Sequence, residues 1–279
     1  MTSKACLFGV FLFAAGFDSQ NASLAQELPK YRGITDQRRF PDSINSCAPA
    51  SVLNLLKFSR EEYRDVYKSL VGSDDGIRMR FVVDRYFRSR PSVVYPKLNR
   101  WGVHGIQSED LVVGLNEMFK DEGARELKGL YLDRREGENE DAHLLRVHDL
   151  LTASIGNGVT PILSLRSFVV RKREGKEAGW ETGAHHNVVV VEVKGKPNSI
   201  GFEVIALDPY QGRQVEILIH REANKQQFLA LKGIEESDLW LEGTPFLQIL
   251  APKVPTVRPG NLKWSERYLV VANFVIGDF

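Results

Sequence analysis

Apolar positions recur at helical spacing in the first half of the chain and at strand spacing in the second. Ala48, Val52, Leu53, Leu55 and Leu56 fall on one broad face, which predicts a helix from Ala48 to Phe58. Pro49 suits its first turn, where a missing N–H costs nothing because that turn has no intrahelical acceptor for it. "SREEYRDVYKSLVG" predicts a second helix, with Ser59 as N-cap and acidic residues in its first turn. "GSDDG" reads as a turn and "RMRFVVDRYFRS" as a helix, although β-branched and aromatic residues dilute its signal. "QSEDLVVGLNEMFKDEG" predicts a helix capped by Ser108, with Glu109 and Asp110 near its positive pole and Gly123 at its end. "DAHLLRVHDLLTASIGNG" predicts a further amphipathic helix.

After Gly158 the texture changes. "VTPILSLRSFVV", "HNVVVVEV", "FEVIALD" and "RQVEILI" are rich in β-branched residues and predict strands, as do "FLQIL" and "RYLVVANFVIG" near the end. The charged stretch "RKREGKEAGWETG" between the first two reads as a loop. Helices early and strands late predict an α+β domain with an antiparallel sheet.

Composition changes little in that picture. The 279 residues are 43% hydrophobic and 26% charged, ordinary for a globular chain. Lys+Arg total 37 and Asp+Glu 36, so the basic excess that a nucleic-acid partner usually leaves is missing.

The N-terminus changes it more. Lys4, the apolar stretch "ACLFGVFLFAAG" and the small-residue site "ASLA" have the form of an export signal, too short in its apolar part to span a bilayer. The expectation is a signal peptide over 1–25 and a single domain over 26–279, periplasmic or secreted, with no membrane anchor after cleavage. Cys6 leaves with the signal, so Cys47 becomes the only thiol of the mature chain. Exported proteins normally pair their cysteines, and an unpaired thiol in an oxidising compartment invites oxidation. A small buried hydrophobe is one role for Cys47. A nucleophile at a helix mouth is the other, because the positive end of the macrodipole favours thiolate.

A nucleophilic thiol needs a base. Of six histidines, His143 and His148 fall on one predicted helix and are expected at its surface; His104 reads as a loop residue and His220 as the end of a strand. His185 and His186 open a strongly apolar strand. Folding the following hairpin about Pro197 sets His186 roughly opposite Asp208, where a carboxylate can fix the imidazole tautomer and stabilise its cation. The cysteine and histidine spacings form no zinc pattern, and neither a metal nor an organic cofactor is called for.

Cysteine opening a helix, histidine opening an apolar strand and aspartate ending the next one together resemble the papain-like cysteine peptidases. "SCAPASVLNLLKF" is similar to the nucleophile helix of their C39-like branch, and "HNVVVVEV" with "IALDPYQG" to its histidine strand and Asp-Pro ending. Phytochelatin synthases, which share this order, are neighbours of the same resemblance. It implies N-terminal helices with the nucleophile helix packed on a C-terminal antiparallel sheet. It also implies Cys47 as nucleophile, His186 as general base and acid, and Asp208 as its orienting partner, with His185 the alternative base. The chain departs from the family in one place. Its members carry a glutamine about five or six residues before the cysteine as an oxyanion donor. Here those positions are Asp42 and Pro41, which leaves Asn45 or Gln37 as substitutes. The implied function is cleavage of a peptide or amide bond in a peptide or protein substrate. An acyltransferase on the same fold and a non-catalytic binding module are the rivals.

Overall fold

The computed structural model describes residues 31–40, 45–102, 105–171, 179–222, 246–257 and 268–279, all within one unit spanning Tyr31–Phe279. The expected signal segment, Pro41, Asp42 and His104 lie outside the described residues. Helices come first: α1 (Cys47–Phe58), α2 (Glu61–Ser69), α3 (Asp75–Val83) running into a π-helical turn at Asp84–Arg88, and α4 (Ser108–Glu122). A short strand β1 (Lys128–Tyr131) and helix α5 (Glu140–Gly156) precede β2 (Ile162–Arg171), β3 (Gly179–Lys194), β4 (Gly201–Asp208), β5 (Arg213–Glu222), β6 (Leu247–Leu250) and β7 (Tyr268–Gly277).

The strands do not form the sheet that was expected. Their order is β1-β7-β2-β3-β4-β5-β6, every neighbour pair is antiparallel, and β6 pairs back onto β7 through Gln248 and Val271. Strands β2 to β7 therefore close a six-stranded antiparallel barrel, with β1 added beside β7. The papain-like α+β fold, with helices packed on an open sheet, is corrected to this closed barrel. Closure gives β6 a partner on the side that an open sheet would leave unpaired. Local periodicity announces strands but not which distant strands pair, so the closing contact left no trace in the pattern.

Alternate residues of the central strands serve two cores. Val189 and Val191 of β3, with Ile205 and Leu207 of β4, join a cluster that includes Leu53 and Leu56 of α1 and Phe119 of α4. Val188, Val190, Val204 and Ala206 face the other way, into a cluster with Ile217, Ile249 and Ala272 of the barrel and Leu144, Val147 and Leu151 of α5. Strands buried on both faces read as continuous apolar runs, as "HNVVVVEV" does.

Several boundaries moved for identifiable reasons. Ser59 does not cap α2. It ends α1, and its hydroxyl accepts the Thr160 N–H at 3.0 Å, leaving Arg60 in the N-cap position. Gln107, not Ser108, precedes α4, and Gly123 ends that helix in the left-handed region at φ 72°. Asp74 caps α3 by accepting from the Ile77 N–H at 3.0 Å, so the expected turn is half helix. The far end of the predicted charged loop, from Gly179, belongs to β3.

Gly201, which opens β4, has φ 154°, and a Cβ there would lie 2.1 Å from the backbone oxygen of Ile219 on β5. Because backbone cannot yield as a flexible side chain can, Gly201→Ala should cost about 2 kcal/mol. Urea unfolding of the two proteins measures it, and equal midpoints would refute the close approach.

Candidate active site

The site begins where α1 begins. Asn45 at φ 68° turns the chain into Ser46 and Cys47, the first helical residue. Ser46 occupies the N-cap position yet makes no capping hydrogen bond, because its hydroxyl donates to the Gln37 carbonyl at 3.0 Å. Pro49 has no N–H to offer. Ser46 thus caps none of the first-turn N–H groups, and the positive pole of α1 lies at the thiol. One turn later, Ser51 donates to the Asn187 carbonyl at 2.9 Å and fastens α1 against β3.

His186 and Asp208 arrive from neighbouring strands. The ladder pairs Val189 with Leu207 and Val190 with Ala206. Continuing it sets Asp208 against Val188, two residues from His186, so the two are diagonal rather than directly opposite. The slip keeps both side chains on one face because strand side chains alternate with period two. A diagonal pair is within reach of a ring. His186 Nε2 lies 2.8 Å from Asp208 Oδ1, and both residues are buried. The same Asp208 oxygen accepts the Tyr210 N–H at 2.8 Å, and Oδ2 faces Arg213 at 3.4 Å. Nε2 is held by the carboxylate, and the ring is also coupled to the Cys47 thiol, each favouring the other's charged form.

Electrostatics separates the two adjacent histidines. Burial disfavours the His186 cation, but the bonds to Asp208 and Cys47 outweigh it and raise its pKa to about 9. Burial likewise disfavours the Cys47 thiolate. The His186 hydrogen bond and charge, with N–H donation from the backbone and side chain of Asn187, reverse that and lower its pKa. Both directions favour a thiolate–imidazolium pair. His185 behaves oppositely: burial, then the charges of Arg166 and His186, lower its pKa to about 3, and its Nε2 is engaged by the Ser164 hydroxyl. It meets Cys47 only through its backbone oxygen, 4.0 Å from Sγ. The alternative base, His185, thus sits with its ring against Ser164, while His186 is the ring coupled to the thiol. A neutral ring committed to Ser164 is not placed to take the thiol proton.

The chain matches no family model, no curated protein and no solved structure. What the site can do follows from its own geometry.

Gln37 lies at the seam of the site. Its N–H donates to the Pro209 carbonyl at 2.9 Å and its carbonyl accepts from Ser46, tying the residue after Asp208 to the residue before Cys47. Its Oε1 is buried without a hydrogen-bond partner. Asn45 packs its Cβ toward Gly105.

The histidines expected on the surface of α5 are buried instead. His143 Nε2 meets the Leu132 carbonyl at 2.7 Å and His148 Nε2 the Gly195 carbonyl at 2.9 Å, so backbone acceptors satisfy rings that sequence pattern read as exposed. Sequence reasoning passed over Asn187. Its Nδ2 lies 3.8 Å from Cys47 Sγ, and it is buried. The available signal was a lone amide between His186 and four consecutive valines, a polar position in an otherwise apolar run.

Proposed function

We propose that this protein is a thiol hydrolase that cleaves an amide bond of a peptide or protein through an acyl-enzyme on Cys47. The observation that carries the reading is the buried His186–Asp208 hydrogen bond beside a thiol at the start of α1 whose ionisation that imidazole favours.

In the resting site His186 holds the proton and Cys47 is thiolate. The sulfur attacks the carbonyl carbon, a C–S bond forms, and the carbonyl π pair moves onto oxygen. The N–H of Cys47 at the helix mouth donates to that oxygen. Collapse breaks the C–N bond, and the His186 proton goes to the leaving amine. Water then adds to the thioester carbonyl and gives a proton back to His186; the C–S bond breaks, its electron pair returns to sulfur as thiolate, and the acid leaves. Asp208 keeps the imidazole in one tautomer and stabilises its cation.

Alkylation of Cys47 by iodoacetamide, followed against pH, tests the ion pair. Cys47 is lowered and His186 raised to about 9, so thiolate and imidazolium coexist between the two. The rate should rise below the ordinary thiol value of about 8.5, with a second step near His186 deprotonation. Intact mass after exposure to p-nitrophenyl acetate should show one acetyl group on Cys47, removed by water. Removal only by added amines or thiols would convert the reading to acyl transfer. Alkylation rising solely above pH 8.5, with no acetyl adduct, would leave a non-catalytic binding module.

A further inference from the structure

We propose that Asn187 is a catalytic residue, whose side-chain amide donates to the substrate carbonyl oxygen as it becomes an oxyanion. The inference rests on the thiol hydrolase reading and extends it to a group outside the Cys47–His186–Asp208 chain.

Three observations converge. First, Asn187 is 2% exposed, and a buried amide needs partners for its donors. Its Nδ2 is aimed at Cys47 Sγ at 3.8 Å, a long contact that only a soft, diffuse acceptor satisfies. Second, its backbone is fixed from both sides. Its carbonyl accepts the Ser51 hydroxyl at 2.9 Å, and it pairs with Ser164 across the β2–β3 ladder. The amide is therefore held by rigid elements rather than by a loop, as a preorganised donor must be. Third, the backbone N–H of Asn187 also donates to the sulfur, so both donors of this residue converge on the reacting atom.

The distance suits the role. An oxyanion formed on the carbon bonded to Sγ lies roughly 2.7 Å from the sulfur, and a good donor stands 2.7–3.1 Å from that oxygen. An N–H nitrogen 3.8 Å from the sulfur closes that triangle without movement of the backbone. In the resting site the same amide donates to the thiolate. As the C–S bond forms, the negative charge leaves sulfur for oxygen, and the hydrogen bond follows it. No proton changes hands at Asn187.

Two covalent reactions of Cys47 isolate this step. Acetylation by p-nitrophenyl acetate passes through an oxyanion, and alkylation by iodoacetamide does not. Each rate is taken on the plateau of that protein's own pH profile, so that a change in thiol ionisation drops out. In Asn187→Ala, acetylation should fall about 100-fold, the usual effect of removing one oxyanion donor, and alkylation by less than about 3-fold. Asn187→Leu keeps the size of the side chain and the Ser51 bond to the backbone carbonyl but removes the donor, so it should show the same split if the alanine variant folds poorly. Parallel loss of both rates would overturn the proposal and make Asn187 a support for the sulfur alone. So would unchanged acetylation. A wild-type protein that is not acetylated at all would instead bring down the hydrolase reading and the proposal with it.

Discussion

Cys47→Ala should abolish acetylation, alkylation and any amide turnover, a loss of at least about 10³-fold, while changing stability by no more than about 1 kcal/mol. The two halves of this expectation come from different observations. The sulfur receives His186 and both donors of Asn187, so every covalent route runs through it. Yet Cys47, although buried, belongs to neither hydrophobic cluster, and its sulfur meets polar groups of His185 and Asn187 at a helix start. His186 keeps its bond to Asp208 when the thiol is gone, so no buried charge is stranded. Urea unfolding gives the stability and intact mass gives the adducts. A loss of several kcal/mol would place Cys47 among inert core cysteines, since losses of that size mark damage to packing.

The site was more legible than the fold that holds it, and the reason is range. Cys47 could be placed because a proline two residues on and an apolar helical face after it are local signals. His186 and Asp208 could be related because one short hairpin joins their strands. The register was off by two residues, as the bulge between Val190 and Glu192 and the extra turn residues are not written in the alternation. Parity survived the slip, so the shared face survived as well. Barrel closure is a different kind of fact. It depends on β6 meeting β7, and a four-residue strand reads the same whether its neighbour is solvent or another strand. β1 is shorter in signal still: Lys128, Gly129, Leu130 and Tyr131 show no alternation, and they become a strand because β7 offers them a ladder. The burial of His143 and His148 was illegible for a related reason. Amphipathic pattern reports how polar a residue is, not whether a distant carbonyl will meet it.

Asp208→Asn should lower stability by about 3 kcal/mol near pH 6 and by much less near pH 10, and should slow Cys47 alkylation at pH 6 by about 10-fold or more. The sign follows from His186. Its pKa is raised from 6.5 to about 9 on folding, so the stabilisation is fully present below pH 6.5 and is lost as pH rises through 9. Apart from the thiol, Asp208 is the acceptor that holds this cation. Asparagine keeps the size of the side chain and can still accept from the Tyr210 N–H, but it removes the charge facing both His186 and Arg213. With the carboxylate gone, burial governs the ring, His186 becomes neutral at lower pH, and the thiolate loses the cation beside it. At pH 10 the wild-type ring has already released its proton, so the two proteins differ less there. Urea unfolding at the two pH values gives the difference directly. A destabilisation equal at pH 6 and pH 10, with alkylation untouched, would mean that Asp208 ends its strand as a turn residue and plays no part in holding the imidazolium.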